Sequence, residues 1–108
     1  MMIEIEIYET SDGDRPFEKW FERVDRQAQD RIRVAFARLE EGNTGHLKGL
    51  GAGVSELKIS FGPGYRIYLG REGSRLVILL HGGTKKRQSD DIAKAKELWR
   101  AYLAERDL

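Results

Sequence analysis

The stretch that decides the fold is VSELKISFGPGYRIYLGREGSRLVILLHG, residues 54–82. It predicts three strands, because Gly62-Pro63-Gly64 and the residues around Gly73 are turn sequences that separate alternating or apolar runs. The third run is nearly continuous in apolar residues, which is typical of a strand covered on both faces. We therefore predict an antiparallel meander whose last strand is the central one. Its strands are Val54–Phe61, Tyr65–Arg71 and Arg75–Gly82.

Upstream of the meander, the sequence predicts one strand and two helices. Isoleucines alternate with polar residues over residues 3–8, the pattern of a strand with one buried face. Asp14, followed by Pro16, is the predicted N-cap of a short amphipathic helix. Asp25 is the predicted N-cap of a second helix that ends at Gly42. The two helices are expected to pack as a hairpin against one face of the sheet.

The remaining segments complete the predicted order of elements. Residues 42–53 are rich in glycine and are predicted to form a loop. Ser89 is the predicted N-cap of a last helix. The order is therefore βαα-βββ-α, an α+β fold in which a mostly antiparallel sheet is packed by helices. Its length predicts a single domain over residues 1–108.

Composition excludes several classes of site. The chain has no cysteine and only two histidines, so no disulfide or thiolate chemistry is expected, and neither is a metal centre. The longest apolar run, residues 76–80, is too short to cross a bilayer. The first residues lack the order of a secretory signal, so we expect a cytoplasmic protein that does not engage a membrane.

The net charge of +1 conceals an asymmetry along the chain. Residues 1–46 carry 7 Lys/Arg and 11 Asp/Glu, a balance of −4, whereas residues 47–108 carry 12 and 7, a balance of +5. A basic half beside an acidic half is typical of a polyanion-binding face. The alternative is an ordinary solvated surface.

The polar residues of the meander share one predicted face near one end of the sheet, because side chains alternate along strands. They are Glu56, Lys58, Arg66, Tyr68 and His81, followed in the next loop by Lys85, Lys86 and Arg87. Such a set can bind a phosphate and move protons. RNA is cut without metal when its own 2′-OH attacks the adjacent phosphate, which requires a base, cations for the developing charge and an acid for the leaving oxygen.

Each of these residues also has a structural interpretation. Lys58 and Arg66 could be solvated on an open sheet face, and Glu56 could pair with either of them across the strands. Tyr68 could be a packing residue, and His81 a hydrogen-bonded structural histidine.

Three segments resemble the addiction-module killer proteins, which are phage-related members of the RelE/HigB toxin superfamily. They are Val54–Ile59, FGPGYRIYLG from Phe61 to Gly70, and LLHGGTKKRQSDDIAKAKELW from Leu79 to Trp99. The helical segment Pro16–Phe21 also resembles that family. The resemblance covers nearly the whole chain, and its second and third segments are specific in combination.

The resemblance implies a RelE/ParE-like fold and the toxin of a type II toxin–antitoxin system. A small helix-turn-helix antitoxin is usually encoded beside such a toxin. The activity implied is metal-independent and cofactor-free cleavage of mRNA, commonly on the translating ribosome. Compared position by position, the family's basic strand residues fall on Lys58 and Arg66, and its lysine pair falls on Lys85 and Lys86.

On this hypothesis Arg66 clamps the scissile phosphate, while Lys58 lowers the pKa of the 2′-OH or acts as the base. Many ribosome-dependent relatives carry a catalytic Tyr or His near the C-terminus, but Tyr102 lies on the apolar stripe of the last helix. The proton donor is therefore His81 or Tyr68. The residues expected to bind RNA phosphates are Lys48, Lys85, Lys86 and Arg87.

The superfamily also contains ParE-like gyrase inhibitors with the same fold and no nuclease site, so fold alone does not decide the activity. The alternative function is therefore a gyrase inhibitor, or an inactive protein that only binds its antitoxin.

Overall fold

The computed structural model describes residues 2–106 of the chain, which form five strands and three helices within that range. Its elements are β1 (Glu4–Ile7), α1 (Pro16–Glu22), α2 (Arg26–Glu40), β2 (Leu47–Gly51), β3 (Val54–Ile59), β4 (Tyr65–Glu72), β5 (Leu76–Thr84) and α3 (Gln88–Arg106). A 3₁₀ turn, Lys85–Arg87, joins β5 to α3. The predicted α+β class is confirmed.

All five strands belong to one sheet with the order β1-β5-β4-β3-β2. β1 runs parallel to β5, and every other neighbouring pair is antiparallel, so the sheet is mostly antiparallel as predicted. The apolar strand β5 lies inside the sheet and is buried on both faces. It is not the middle strand, however, because β1 adds only one strand beyond it and β4 takes the central place.

The predicted loop over residues 42–53 was wrong, since it contains the edge strand β2. β2 pairs with β3 alone, through Leu47 opposite Leu57 and Lys48 opposite Glu56. Its glycines interrupt the apolar alternation by which a strand is recognised in a sequence. The correct order of strands and helices is therefore βαα-ββββ-α.

The helices α1 and α2 pack on one face of the sheet, as expected for the predicted hairpin. Their apolar side chains meet alternate residues of the meander. The buried residues of this layer include Phe17, Ala28, Ile32, Leu39, Leu57, Ile67, Leu69, Val77 and Leu79. This helix pair and the sheet face beneath it form the larger apolar core.

The helix α3 covers the opposite face, which carries the candidate site residues. It buries Ala95, Leu98 and Trp99 against a second set of strand residues that includes Val54, Tyr68, Ile78 and Leu80. Of the two residues that could have been solvated on an open face, Lys58 is exposed and Arg66 is buried. The reason is that an apolar stripe on the last helix must be buried against something, and the free face of the sheet is what remains.

The predicted helix N-caps were confirmed at one position only. The carboxylate of Asp25 accepts a hydrogen bond from the backbone N–H of Gln27 at 3.1 Å. Arg15, not Asp14, occupies the N-cap position of α1, and the Asp14 carboxylate instead pairs with Lys19. Ser89 lies inside α3, because the helix continues directly from the 3₁₀ turn at Gln88.

The contact between Gly70 and Trp99 predicts a stability effect. A Cβ atom at Gly70 would overlap the indole ring of Trp99, which lies flat over the strand there. We expect Gly70→Ala to lower the free energy of unfolding by about 1–3 kcal/mol, as overpacking typically does. Urea denaturation measures this. Gly49→Ala is the matched control, because a Cβ at that strand glycine meets no atom within 4 Å. Equal midpoints for the two variants would contradict the packing described.

Candidate nucleic-acid interface

Two rows of residues cross the sheet face beneath α3. In the first row, Lys48 lies opposite Glu56, Glu56 opposite Tyr68, and Tyr68 opposite His81, so that one residue comes from each of four adjacent strands. The register of β4 and β5 shifts beside Tyr68 and leaves Leu80 without a direct partner. Because of this bulge, Leu80 and its neighbour His81 both contact groups on the α3 side.

The second row lies one step closer to the end of the sheet. Lys58 lies opposite Arg66, and Arg66 lies opposite Gly83. The backbone N–H of Lys85 donates to the carbonyl oxygen of Gly64 at 3.1 Å, which fixes the 3₁₀ turn beside the turn between β3 and β4. The structure therefore brings Lys58, Arg66 and the basic turn to the same end of the sheet.

A buried ion pair connects the two rows. Glu56 and Arg66 are only 4% and 5% exposed, and Arg66 Nε lies 3.5 Å from Glu56 Oε1. Gln88 Nε2 donates to the same carboxylate oxygen at 3.1 Å. Of the pairings that the sequence left open for Glu56, the structure shows the one with Arg66. Gln88 was not singled out by residue chemistry, although it lies in the segment that carries the family resemblance.

The burial of Arg66 limits what its guanidinium can reach. Its Nε and Nη1 atoms are enclosed and form no hydrogen bond within the described part of the chain. A phosphate could reach these atoms only if the surrounding side chains moved. The Nε and Nη1 atoms of Arg66 are therefore enclosed in this conformation, and its expected contact with a phosphate stays a prediction.

Tyr68 and His81 form a stacked pair beneath α3. Their ring centroids are 5.2 Å apart with planes inclined by 28°. The Tyr68 side chain is fully buried, and its hydroxyl has no hydrogen-bond partner among the described residues. Burial, followed by the nearby carboxylates of Glu56 and Asp91, raises the pKa of Tyr68 to about 12. A buried phenol with that pKa is a poor proton donor at neutral pH.

His81 is held as a neutral imidazole by its surroundings. Burial lowers the pKa of its ring, an effect that the nearby backbone carbonyl and carboxylate of Asp91 only partly offset. Nε2 lies 2.8 Å from the backbone carbonyl oxygen of Asp91. Because a carbonyl can only accept, we assign the proton to Nε2, and Nδ1 is left as an acceptor. A neutral ring in this tautomer can take up a proton on Nδ1 but is not a ready acid.

The lowered pKa of His81 predicts a pH dependence of stability. Below the unfolded-state pKa of about 6.5 the unfolded chain binds a proton that the folded chain resists, so the protein loses stability as the pH falls through that region. His81→Gln keeps a donor for Asp91 and cannot titrate, so we expect a smaller loss between pH 7 and pH 5. His46→Gln, at the exposed second histidine, is the control. Urea midpoints across this range measure the effect, and identical pH profiles for wild type and His81→Gln would contradict it.

The solvent-exposed part of the site is a set of basic side chains. We call this set the cationic surface, and its members are the exposed residues Lys48, Lys58, Lys85, Lys86 and Arg87. Lys58 is the member that adjoins Arg66 in the sheet. The candidate site thus has two parts, an exposed cationic surface and a buried layer of Glu56, Arg66, Tyr68 and His81.

A groove on the other side of the sheet was not predicted from the sequence. It has a volume of about 770 Å³ and lies between α2 and the strands β2 and β3. Apolar residues of the core form its floor, and Lys58 lines it as well. The sequence carries no signal for this groove, because it depends on how α2 crosses the sheet and on a strand that was not foreseen.

Within residues 2–106, no group of three or more histidine, aspartate or glutamate side chains is placed to hold a metal ion. None of the helices there is long and apolar enough to cross a membrane.

Comparison with known families shows which family the chain belongs to. The model of the phage-derived Gp49-like proteins (DUF891) matches residues 19–101. The chain belongs to this family. An uncharacterized protein of Haemophilus influenzae is similar to the Gp49-like chain, with 41% identity over 83 residues, which are 76% of this chain and 84% of the relative. The family is known for addiction-module killers, so the Gp49-like chain is a toxin-like protein of the toxin–antitoxin kind, and an antitoxin is its implied partner.

Proposed function

We propose that this protein is the toxin of a type II toxin–antitoxin system and a single-domain member of the RelE/HigB group with its RelE/ParE-like fold. In this proposal it is a metal-independent mRNA endoribonuclease that acts on the translating ribosome in the cytoplasm. A cognate antitoxin, a small helix-turn-helix protein, neutralises it. The observation that carries the proposal is the cationic surface, which places exposed lysines beside the buried Glu56–Arg66 pair.

The cationic surface fits the backbone of RNA. Exposed Lys and Arg side chains bind phosphates without reading sequence, and they give binding that weakens with salt. Lys58 lies opposite Arg66 in the sheet and is the residue proposed to contact the scissile phosphate. Its ammonium group can stabilise the charge that grows on the phosphate oxygens when the 2′-OH attacks. The 3₁₀ turn Lys85–Arg87 and Lys48 would then hold the flanking phosphates.

Arg66 has a different role in this proposal from the one its sequence position suggested. The guanidinium lies below the surface against Glu56 and is not presented to solvent. It therefore acts as a positioning residue that fixes the floor beneath Lys58.

Cleavage also requires a group that donates a proton to the leaving 5′-oxygen, and neither candidate in this chain is well suited to do so. Tyr68 is fully buried, with its pKa raised to about 12, and the pKa of His81 is lowered so that its ring is neutral. A group outside the chain would complete the site if the substrate is mRNA in the ribosome. The proposal therefore expects cleavage of translated mRNA and little cleavage of free mRNA.

The experiment compares the two substrates after the protein is produced. Brief induction in cells, followed by primer extension on abundant mRNAs, should give new 5′ ends inside codons within minutes. Purified protein should give the same ends on mRNA bound to ribosomes, and at most one-tenth of that cleavage on the same mRNA alone. Equal cleavage of free and bound mRNA would refute ribosome dependence. No new ends in either assay would refute the nuclease.

A non-nuclease function is the second candidate, and the burial of Tyr68 and His81 favours it. A ParE-like gyrase inhibitor or an inactive antitoxin-binding protein needs no proton donor. Induction would then leave mRNA intact, with DNA breaks in the first case and no growth arrest in the second.

A further inference from the structure

The groove between α2 and the strands β2 and β3 combines an apolar floor with an exposed apolar wall. Leu39, Leu57 and Ile59 belong to the core and form part of its floor. Val34 lines the groove from α2 and is 53% exposed. Among residues 2–106 only Met2 and Val34 are large hydrophobic residues with such exposure. A lone exposed valine is ordinary, but one that borders a groove of about 770 Å³ adds to a surface that can bury apolar side chains.

The rim of this groove is basic. Arg31 and Arg38 line it from α2. Asp30 also lines it, but its carboxylate accepts a hydrogen bond from Arg33 at 3.1 Å. The Arg31 guanidinium lies 4.4 Å above the centre of the Phe61 ring, which holds this cation near the end of the groove. The rim therefore offers positive charge around an apolar floor.

We propose that this groove is where the antitoxin docks, through an amphipathic helical segment with apolar residues on one face and acidic residues flanking them. The inference rests on the proposed function for the identity of the partner. Apolar side chains of the segment would fill the floor beside Val34, and its carboxylates would pair with Arg31 and Arg38. This is the helix-in-groove mode of recognition, with charge complementarity setting the orientation.

The apolar floor distinguishes a protein partner from RNA. A phosphate backbone needs cations but gains nothing from leucine and isoleucine side chains, whereas an amphipathic helix uses both.

The test measures binding of the protein encoded by the adjoining reading frame, by calorimetry with the full-length chain. We expect Val34→Glu with Arg38→Glu to weaken binding at least 100-fold, because the variant adds negative charge to a surface that faces acidic residues. Arg26→Glu, at the exposed start of the same helix and outside the residues that line the groove, is the matched control and should bind as wild type. Val34→Glu alone is the milder variant should the double variant be unstable in urea. Raising the salt concentration from 50 to 500 mM should weaken the wild-type complex and affect the variant less.

Four results would overturn the docking proposal. They are no binding of that protein to wild type, wild-type affinity in the double variant, loss of mRNA cleavage with binding unchanged, and a wild-type dimer that the variant dissociates. Growth arrest is scored separately in the same strains. We expect the double variant to arrest growth even when the partner is co-produced. If wild type arrests no growth, the toxin proposal fails, while the binding data still decide whether the groove is the docking site.

Discussion

Lys58→Ala is expected to reduce mRNA cleavage by about 100- to 1,000-fold, the usual cost of removing one group that stabilises a developing anion. Lys58 is exposed on β3 and adjoins Arg66 in the sheet, so its loss removes charge from the surface without opening the core. The measurement is the rate of appearance of new mRNA ends on ribosome-bound message. Growth arrest on induction should disappear in parallel.

The control for Lys58 is an exposed cation at the other end of the sheet. Arg71→Ala removes such a side chain from β4, where Arg71 lies opposite Val77. It should cleave and arrest growth like wild type. Lys58→Arg keeps a positive charge and should retain more activity than Lys58→Ala, although its geometry differs. If Lys58→Ala cleaves at the wild-type rate, Lys58 does not contact the scissile phosphate.

Glu56→Gln is expected to lower the free energy of unfolding by about 3–5 kcal/mol, because it leaves the buried Arg66 guanidinium without its counter-charge. The change is nearly isosteric, and Gln88 can still bond to the new side chain, so lost charge and not lost volume is tested. Urea denaturation with full baselines gives the value. A loss of this size is a large fraction of the stability of a small domain.

A double variant tests whether the loss of stability in Glu56→Gln comes from the unpaired charge of Arg66. Arg66→Met combined with Glu56→Gln removes both members of the pair and should recover much of the stability that Glu56→Gln loses. Asp30→Asn is the exposed counterpart, since Asp30 pairs with Arg33 three residues away on the surface of α2. It should change the urea midpoint little. A similar small change for Glu56→Gln would contradict the burial of the pair.

The sequence predicted the meander well because turn residues and apolar runs are local signals. Gly62-Pro63-Gly64 separates two strands whose alternation matches their observed faces, with Leu57 and Ile67 on the side of α1 and α2. The strand β2 was missed because Gly49 and Gly51 remove the side chains that would show alternation. A short turn joins it to β3, with Gly51 opposite Val54, but the glycines around this turn are typical of a loop.

The candidate site was predicted less completely than the fold. Alternation alone places Lys58 and Arg66 on one face, and this is where they lie. It does not say which sheet face α3 covers, so the burial of Arg66 and Tyr68 could not be foreseen. The bulge at Leu80 is a second reason, since it lets consecutive residues, Leu80 and His81, both contact the α3 side. The groove beside α2 depends on long-range packing throughout.

The most direct test of the central proposal, metal-independent RNA cleavage by this protein, is the chemistry of the RNA ends after induction. Attack by the 2′-OH leaves a 2′,3′-cyclic phosphate on the upstream fragment and a 5′-hydroxyl on the downstream one. Hydrolysis by a metal-activated water can instead leave a 5′-phosphate and a 3′-hydroxyl. We predict new mRNA fragments with 5′-hydroxyl ends and cyclic phosphates that are present in wild type and in Arg71→Ala and lost in Lys58→Ala. New ends bearing 5′-phosphates, or no new ends in cells whose growth has stopped, would contradict the proposal.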